Sequence, residues 1–214
     1  MTNAVIFDMD GVISNTQKLH SNVESSILHG YGIPLSPEAI TKRYAGVPDH
    51  VMLREMSAEI GIPMPDTNDF DKKKWGRMLH PEPGDLDPMP GALEFIKLLR
   101  KKNIPLAVAS GSSMPFIELV ISTLGIRDCF ETLVSSDEVE NGKPSPDIFL
   151  LAAGRLGIEP SACVVIEDGL SGMIGAKAAG MECVALLSHL TAKECPTDIC
   201  VNSLTDLDLK SIGL

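Results

Sequence analysis

Two carboxylates stand directly after the first apolar run of the chain, in the motif Asp8-Met9-Asp10-Gly11. This spacing suits covalent phosphoryl transfer, in which Asp8 attacks phosphorus and Asp10 gives a proton to the leaving oxygen and later activates water. Gly11 permits the turn that brings both acids to one ligand. A loop with two solvated acids is the alternative for this motif taken alone.

Two further motifs offer groups that bind phosphate. In Ser110-Gly111-Ser112-Ser113, a hydroxyl and backbone N–H groups precede a predicted helix, an arrangement that cradles anions. Ser110 and Gly111 are therefore predicted phosphate contacts, although an ordinary helix cap explains the same residues. Lys143, in Gly-Lys-Pro, is an isolated cation in an acidic stretch. It would neutralise phosphate charge, unless it is a solvated surface lysine.

The fourth motif, Glu167-Asp168-Gly169, follows another apolar run. Its carboxylates, together with Asp8 and a backbone carbonyl near Asp10, would form the shell of oxygen ligands that Mg²⁺ requires. Asp8, Asp10, Glu167 and Asp168 are therefore the predicted metal residues and Mg²⁺ the predicted cofactor. Alone, the motif is also compatible with an acidic turn. The combination of all four motifs favours chemistry, because each follows a predicted strand of the same kind.

The elements that must position these motifs alternate between strand and helix. Unbroken apolar runs predict buried parallel strands, and helical patterns ending at glycine or asparagine separate them. The prediction is an α/β fold with a doubly wound parallel sheet. The predicted strands are 4–7, 106–109, 132–134, 163–166 and 184–187, and the predicted core helices include 92–102, 115–124 and 171–179.

The alternation is interrupted between residues 15 and 83, where only helical patterns occur, at 18–29, 37–44, 50–60 and 70–79. A proline-rich connector closes this segment. We therefore predict a small helical cap domain, 15–83, inserted after the first strand of a core domain made of 1–14 and 84–214. Such an insert is expected over the carboxyl ends of the strands, where ligands bind in open α/β sheets.

The composition of the chain limits which kinds of binding partner are expected. The 214 residues carry a formal net charge of −11, and no basic stripe offsets it, so nucleic acid is not an expected partner. No apolar run is long enough to span a membrane. The N-terminus lacks the pattern of a signal peptide, and five cysteines without metal spacing indicate reduced thiols, so a cytoplasmic location is expected. Oligomeric state is open, and a monomer is compatible with the sequence.

These motifs resemble those of the haloacid dehalogenase superfamily of phosphotransferases. Phe7-Asp8-Met9-Asp10-Gly11-Val12 is similar to its first motif, Ser110 to its second and Lys143 to its third. Glu167-Asp168, with the glycines and small residues of 172–181, is similar to the fourth. The resemblance spans essentially the whole chain.

The resemblance implies Asp8 as nucleophile, Asp10 as acid/base, and Ser110 and Lys143 on the phosphate. It implies that Glu167 and Asp168 place Mg²⁺. Dehalogenase and phosphonate-cleaving members lack an acid equivalent to Asp10, so a phosphate monoester of a small molecule is the implied substrate.

The helical insert resembles the cap of the branch that contains β-phosphoglucomutase and sugar-phosphate phosphatases. Thr16 and His20 match cap positions of the mutase, where the histidine supports the acid/base aspartate, and Lys74 matches a cap lysine. A surface or core-edge position is the alternative for His20. Gly46 and Val47 match the loop expected to meet substrate.

That loop departs from the mutase pattern. The mutase has an arginine just after Gly-Val, which grips the phosphate that does not react, whereas Pro48 and Asp49 stand here. An acid cannot replace a guanidinium group in binding phosphate. A phosphatase of sugar or polyol phosphates is therefore favoured over a β-phosphoglucomutase-type mutase. A non-catalytic phosphate-binding regulator is disfavoured, because every expected chemical group is present.

Overall fold

Parallel strands form the centre of the fold. The structure, a computed structural model, describes residues 2–44, 47–188, 190–197 and 199–214. Over this part of the chain the strands are β1 (Ala4–Phe7), β2 (Leu106–Ser110), β3 (Thr132–Ser135), β4 (Cys163–Glu167), β5 (Glu182–Leu186) and β6 (Ile199–Val201). They form one sheet in the order β3-β2-β1-β4-β5-β6, and each neighbouring pair is parallel.

Helices occupy both the predicted insert and the crossovers between strands. Those of the insert are α1 (Gln17–Gly30), α2 (Pro37–Tyr44), α3 (Asp49–Ile60) and α4 (Thr67–Met78). Those that follow are α5 (Ala92–Lys101), α6 (Met114–Thr123), α7 (Asp147–Leu156) and α8 (Leu170–Ala178).

β1 lies in the middle of the sheet and is completely buried. Phe7 pairs with Val108 of β2 on one side and with Ile166 of β4 on the other. All its residues are 0% exposed, so the hydrophobic effect fixes the strand firmly. The residues that follow β1 are consequently held at the carboxyl edge of the sheet.

The two faces of β1 are covered by different helices. Ile6 belongs to a core cluster that contains Phe149 of α7 and Met173 of α8. Phe7 points to the opposite face, where its ring meets Phe95 of α5 edge to face, with the centroids 6.3 Å apart. Helices on both faces of a parallel sheet confirm the predicted doubly wound α/β fold.

By internal contacts the chain divides into two compact units, Met1–Asn15 with Leu86–Leu214, and Thr16–Asp85. The first contains the sheet. The second contains α1–α4 around its own apolar cluster, which includes Leu28, Ile40 and Phe70. The role of a substrate-selecting cap stays a prediction for this helical unit.

The chain leaves the sheet-containing unit and re-enters it at neighbouring points. Asn15 N–H donates to the Asp87 carbonyl at 2.8 Å, and Met89 N–H donates to the Ile13 carbonyl at 2.9 Å. Ser14 also forms an antiparallel bridge with Pro88. The two connections are therefore tied together by backbone hydrogen bonds.

Three elements differ from the prediction by more than one residue at an end or were not predicted at all. β6 was not predicted, because its three residues are only half-buried and lack a longer apolar run. β5 begins at Glu182 rather than Val184, since pairing with β4 extends it over an exposed acid. α4 begins at Thr67 rather than Phe70, because the Asp66 carboxylate caps it by accepting from Asp69 N–H at 3.0 Å.

Two further observations concern predictions made from composition. The five cysteines are present as free thiols. None of the helices in the described residues combines the length and the apolar character needed to cross a membrane.

Candidate active site

Strand pairing carries Asp8 into place. Its backbone N–H donates to the Ile166 carbonyl at 2.9 Å, which extends the β1–β4 ladder by one residue. The side chain is buried, with 6% of the residue exposed. Gly11 then turns the chain with a φ of +82°, a conformation that favours glycine. A Cβ at this position would lie 2.1 Å from Asp168 Oδ2, so the close approach of the two segments also requires glycine.

The Lys143 ammonium joins two of the predicted motifs. Its Nζ lies 2.6 Å from Asp8 Oδ1 and 2.6 Å from Glu167 Oε1. Burial by itself would lower the pKa of Lys143, but the two carboxylates outweigh burial and raise that pKa above its usual range. The lysine is therefore a fixed positive charge, and not the solvated surface residue of the alternative interpretation.

The three carboxyl groups would carry more negative charge, when all are ionised, than Lys143 neutralises, and burial opposes the ionisation of two of them. Burial raises the pKa of Asp8 well above its ordinary value; Lys143 opposes the rise, and Glu167 adds to it. Burial, with the charge of Glu167, also raises the pKa of Asp168 to about 7. Ser188 counteracts this shift by donating from Oγ to Asp168 Oδ2 at 2.9 Å.

The excess charge and the donor atoms fit a divalent metal ion. Asp8, Glu167 and Asp168 can each offer one oxygen, and these oxygens lie within 4.8 Å of one another. With Lys143 the group carries a net charge of −2 when all three acids are ionised, which a divalent cation would balance. Oxygen-only ligands are those that Mg²⁺ prefers. The predicted contribution of Asp10 through its backbone stays a prediction.

Ser110 and Asp10 are brought together by the ends of β2 and β1. Ser110 Oγ donates to Asp10 Oδ2 at 3.1 Å, and Ser112 Oγ donates to the same oxygen at 2.7 Å. Ser110 is completely buried, whereas Gly111 is exposed. Binding of phosphate by Ser110 and Gly111 stays a prediction.

In the helical unit, Lys74 lies at the centre of a buried ionic cluster. Its Nζ is 2.7 Å from Glu24 Oε1 and contacts both carboxylate oxygens of Asp49, at 2.9 and 2.8 Å. His20 Nδ1 lies 3.8 Å from Glu24 Oε1, and its ring meets Trp75 edge to face. Burial would raise the pKa of Glu24, but Lys74 and His20 reverse the shift and lower that pKa to about 2.

The other predicted cap residues are distributed differently. Thr16 is completely buried immediately before α1, where its side chain makes no capping hydrogen bond. Val47 packs against the apolar cluster of the helical unit. Gly46 lies outside the described residues.

Sequence reasoning assigned no individual role to four residues that support the site. Ser112 and Ser188 donate to Asp10 and Asp168, and Gly169 N–H donates to Glu167 Oε2 at 2.8 Å. A Cβ on Gly172 would lie 1.7 Å from Glu167 Oε1. Ser188 directly follows the fifth predicted strand, 184–187, a position that indicates a residue of the site but not its acceptor, whereas the clearance at Gly172 becomes visible only in three dimensions.

Fold and site together define an α/β enzyme with a charged site at the carboxyl edge of a parallel sheet. The family model described as haloacid dehalogenase-like hydrolase matches residues 2–180. The chain belongs to this family, as the four motifs indicated.

Two relatives of the chain have names that include a phosphatase activity. The chain is 33% identical to the bifunctional riboflavin kinase/FMN phosphatase of Arabidopsis thaliana, over 100% of this chain and 56% of that protein. It therefore spans about half the length of that relative. It is 32% identical to a phosphorylated carbohydrates phosphatase of Thermotoga maritima, over 87% of this chain and 85% of that protein.

Among solved structures, β-phosphoglucomutase of Clostridium difficile superposes with a TM-score of 0.84 at 24% identity. The superposition covers 100% of this chain and 96% of the mutase. Similarity at this level of identity establishes the shared fold, but it does not show that this chain catalyses the mutase reaction.

Proposed function

We propose that this chain is a Mg²⁺-dependent phosphatase of small phosphorylated metabolites, with sugar or polyol monophosphates as the substrate class. The reaction proceeds through a phosphorylated Asp8, with Asp10 as general acid and then general base. The observation that carries the proposal is the meeting of Lys143 with Asp8 and Glu167, beside Asp168. The name of the Thermotoga maritima relative supports the substrate class.

Asp8, Asp10 and Lys143 each have a defined task in this reaction. The Asp8 carboxylate attacks phosphorus, and the leaving oxygen takes a proton from Asp10. Asp10 then removes a proton from water, which attacks the phosphoryl group and releases inorganic phosphate. Lys143 holds the nucleophile in place and offsets phosphate charge.

Asp8, Glu167 and Asp168 would hold Mg²⁺, with the backbone carbonyl of Asp10 as a further proposed ligand. When bound, the ion supplies charge that reduces the repulsion between the acidic site and an anionic phosphate. Ser110 and the loop at Gly111 would bind the phosphate oxygens.

The ion pairs of Lys74 favour a phosphatase over a mutase. A mutase must hold a second phosphate, and the resemblance expects an arginine just after Gly-Val, where Pro48 and Asp49 stand. Asp49 instead pairs with Lys74, which also pairs with Glu24, so two carboxylates already compensate this cation. A cluster with this charge is poorly suited to a second phosphate group.

Release of inorganic phosphate from a panel of sugar, polyol and nucleoside monophosphates tests the proposal. Native protein should release phosphate with Mg²⁺ and lose activity with chelator. Asp8→Asn should lower kcat by about 10³-fold or more, because the nucleophile is lost. Asp128→Asn, at an exposed acid of the same type, should match native protein. Undiminished activity in Asp8→Asn would refute the mechanism.

A further inference from the structure

Asp10 is held by two hydroxyl groups that donate to one carboxylate oxygen. Ser112 Oγ lies 2.7 Å from Asp10 Oδ2, closer than Ser110 Oγ at 3.1 Å. Both serines are buried, Ser110 at 0% and Ser112 at 2% exposure. Hydrogen bonds from two buried donors to a carboxylate are strong enough to select one side-chain orientation.

The backbone around Ser112 is fixed from the neighbouring strand. Ser135, at the end of β3, donates from Oγ to the Ser112 carbonyl at 2.7 Å. Ser112 N–H in turn donates to Ser110 Oγ at 3.1 Å. Ser136, the residue after Ser135, donates from Oγ to the Gly111 carbonyl at 2.8 Å. The backbone that carries the Ser112 side chain is therefore held in position by hydrogen bonds from the end of β3 and the residue after it.

The number of protons on each hydroxyl separates the roles of the two serines. A serine hydroxyl has one proton to donate. Under the proposed function Ser110 donates to a phosphate oxygen, and it cannot donate to Asp10 at the same time. Ser112 has no such second task in the proposed reaction, so its bond to Asp10 persists when phosphate is bound.

We propose that Ser112 is the positioning residue of Asp10, which keeps the acid/base carboxylate oriented while Ser110 turns to the phosphate. This inference rests on the proposed function for its kinetic consequence. Its structural consequence is independent of turnover: without the Ser112 hydroxyl, phosphate binding removes both serine hydroxyls from Asp10 Oδ2.

Kinetics of Ser112→Ala with a sugar or polyol monophosphate test the consequence for turnover. We expect kcat to fall roughly 10- to 100-fold, the effect of one lost hydrogen bond to a charged group, with KM changed less than about threefold. Ser112→Thr, which keeps the hydroxyl, should recover most of kcat. If Ser112→Ala does not fold, Ser112→Cys keeps the size with a weak donor and should show the same loss of kcat.

Ser57→Ala is the matched control. Ser57, in α3, is also buried, but its Oγ has no hydrogen-bond partner in the described part of the chain. Its removal should leave kcat within about twofold of native, since no bond is lost. A native kcat in Ser112→Ala, or a raised KM with unchanged kcat, would overturn the inference, the second outcome making Ser112 a substrate contact.

Crystal structures with Mg²⁺ and inorganic phosphate test the orientation directly. In native protein we expect Ser110 on the phosphate and Ser112 on Asp10, and in Ser112→Ala a changed Asp10 rotamer. An unchanged Asp10 in Ser112→Ala would overturn the positioning role even if native protein hydrolyses phosphate esters. Absence of hydrolysis in native protein would instead defeat the proposed function, and the Asp10 rotamer would still decide the role of Ser112.

Discussion

Gly172 of α8 leaves room for no side chain beside Glu167: a Cβ there would lie 1.7 Å from Oε1 and 2.8 Å from Cγ. Glu167 cannot easily move aside, because Oε1 contacts Lys143 at 2.6 Å and Oε2 accepts from Gly169 N–H at 2.8 Å. The small residue in the helix and the carboxylate at the end of β4 are thus parts of one arrangement.

Gly172→Ala is therefore expected to displace the Glu167 carboxylate and weaken Mg²⁺ binding. We expect the Mg²⁺ concentration for half-maximal activity to rise about 10- to 100-fold, as for other changes to groups that orient metal ligands. Titration calorimetry with Mg²⁺ provides a second readout. Gly154→Ala, in α7 with open space around the added Cβ, is the control and should leave Mg²⁺ affinity unchanged. Equal affinities in both variants would contradict the steric argument.

Lys143→Met is expected to destabilise the metal-free protein. The change leaves Asp8 and Glu167 buried without their cation, which costs about 3 to 5 kcal/mol when one partner of a buried pair is removed. Added Mg²⁺ should restore part of this loss, because a bound cation replaces the missing charge. Urea unfolding with and without Mg²⁺ measures both effects. Lys177→Met, at an exposed lysine of α8, should change stability little; a similar loss there would argue against the buried pair as the cause.

The stability of the metal-free protein should fall as pH rises toward 7. The folded pKa of Asp168 is about 7, whereas an unfolded aspartate has a pKa of roughly 3.9. Between these values the folded state binds more protons than the unfolded state, so the free energy of unfolding decreases as pH increases. The raised pKa of Asp8 acts in the same direction.

Thermal unfolding between pH 5 and pH 7.5 measures how stability changes with pH. This range covers the upper part of the interval between the unfolded and folded pKa values of Asp168, roughly 3.9 and about 7. Saturating Mg²⁺ should reduce the slope of stability against pH, because metal binding stabilises the ionised acids. Asp168→Asn should also reduce the slope in the absence of metal. A native metal-free protein whose melting temperature is constant or rises over this range would contradict the prediction.

Removing different members of the ionic cluster in the helical unit should lower the stability of the protein by different amounts. Lys74→Met leaves Glu24 and Asp49 without their cation and should cost about 3 to 5 kcal/mol. Asp49→Asn should cost less, because the Asp49 side chain is 22% exposed and Lys74 keeps Glu24. Urea denaturation of both variants at neutral pH tests the order, and a larger loss in Asp49→Asn would reverse the argument.

Because of Glu24, the contribution of the same cluster to the stability of the protein should depend on pH in the acidic range. Its folded pKa is about 2, below the roughly 4.3 of an unfolded glutamate. Its contribution to stability is therefore present above the unfolded pKa and is lost as pH falls toward 2. In Glu24→Gln this part of the acid destabilisation should be missing from a pH series of unfolding curves.

The sequence predicted best what depends on local pattern. The apolar run of β1 and the motif after it are enough to place Asp8, because a buried central strand has one register and one direction. The partners of Asp10 and Asp168 could not be predicted in this way. Ser112 and Ser188 reach them from other strands, and a hydroxyl in a loop has no periodicity that reveals its acceptor.

Short or capped elements were also harder to predict. β6 exists through pairing with β5 and has little apolar content of its own. The start of α4 depends on one hydrogen bond from Asp69 N–H to Asp66, which extends the helix beyond its apolar stripe.

The paired connections at Ser14–Asn15 and Asp87–Met89 have an implication for how such enzymes diversify. Because the chain departs and returns at adjacent, hydrogen-bonded points, the intervening segment can change in length or sequence without altering the register of β1. Mutations can then accumulate in 16–85 while the strand ends that carry the site stay as they are. A gene encoding this fold can thus exchange the segment between its first strand and the rest and still keep the side chains of the site in place.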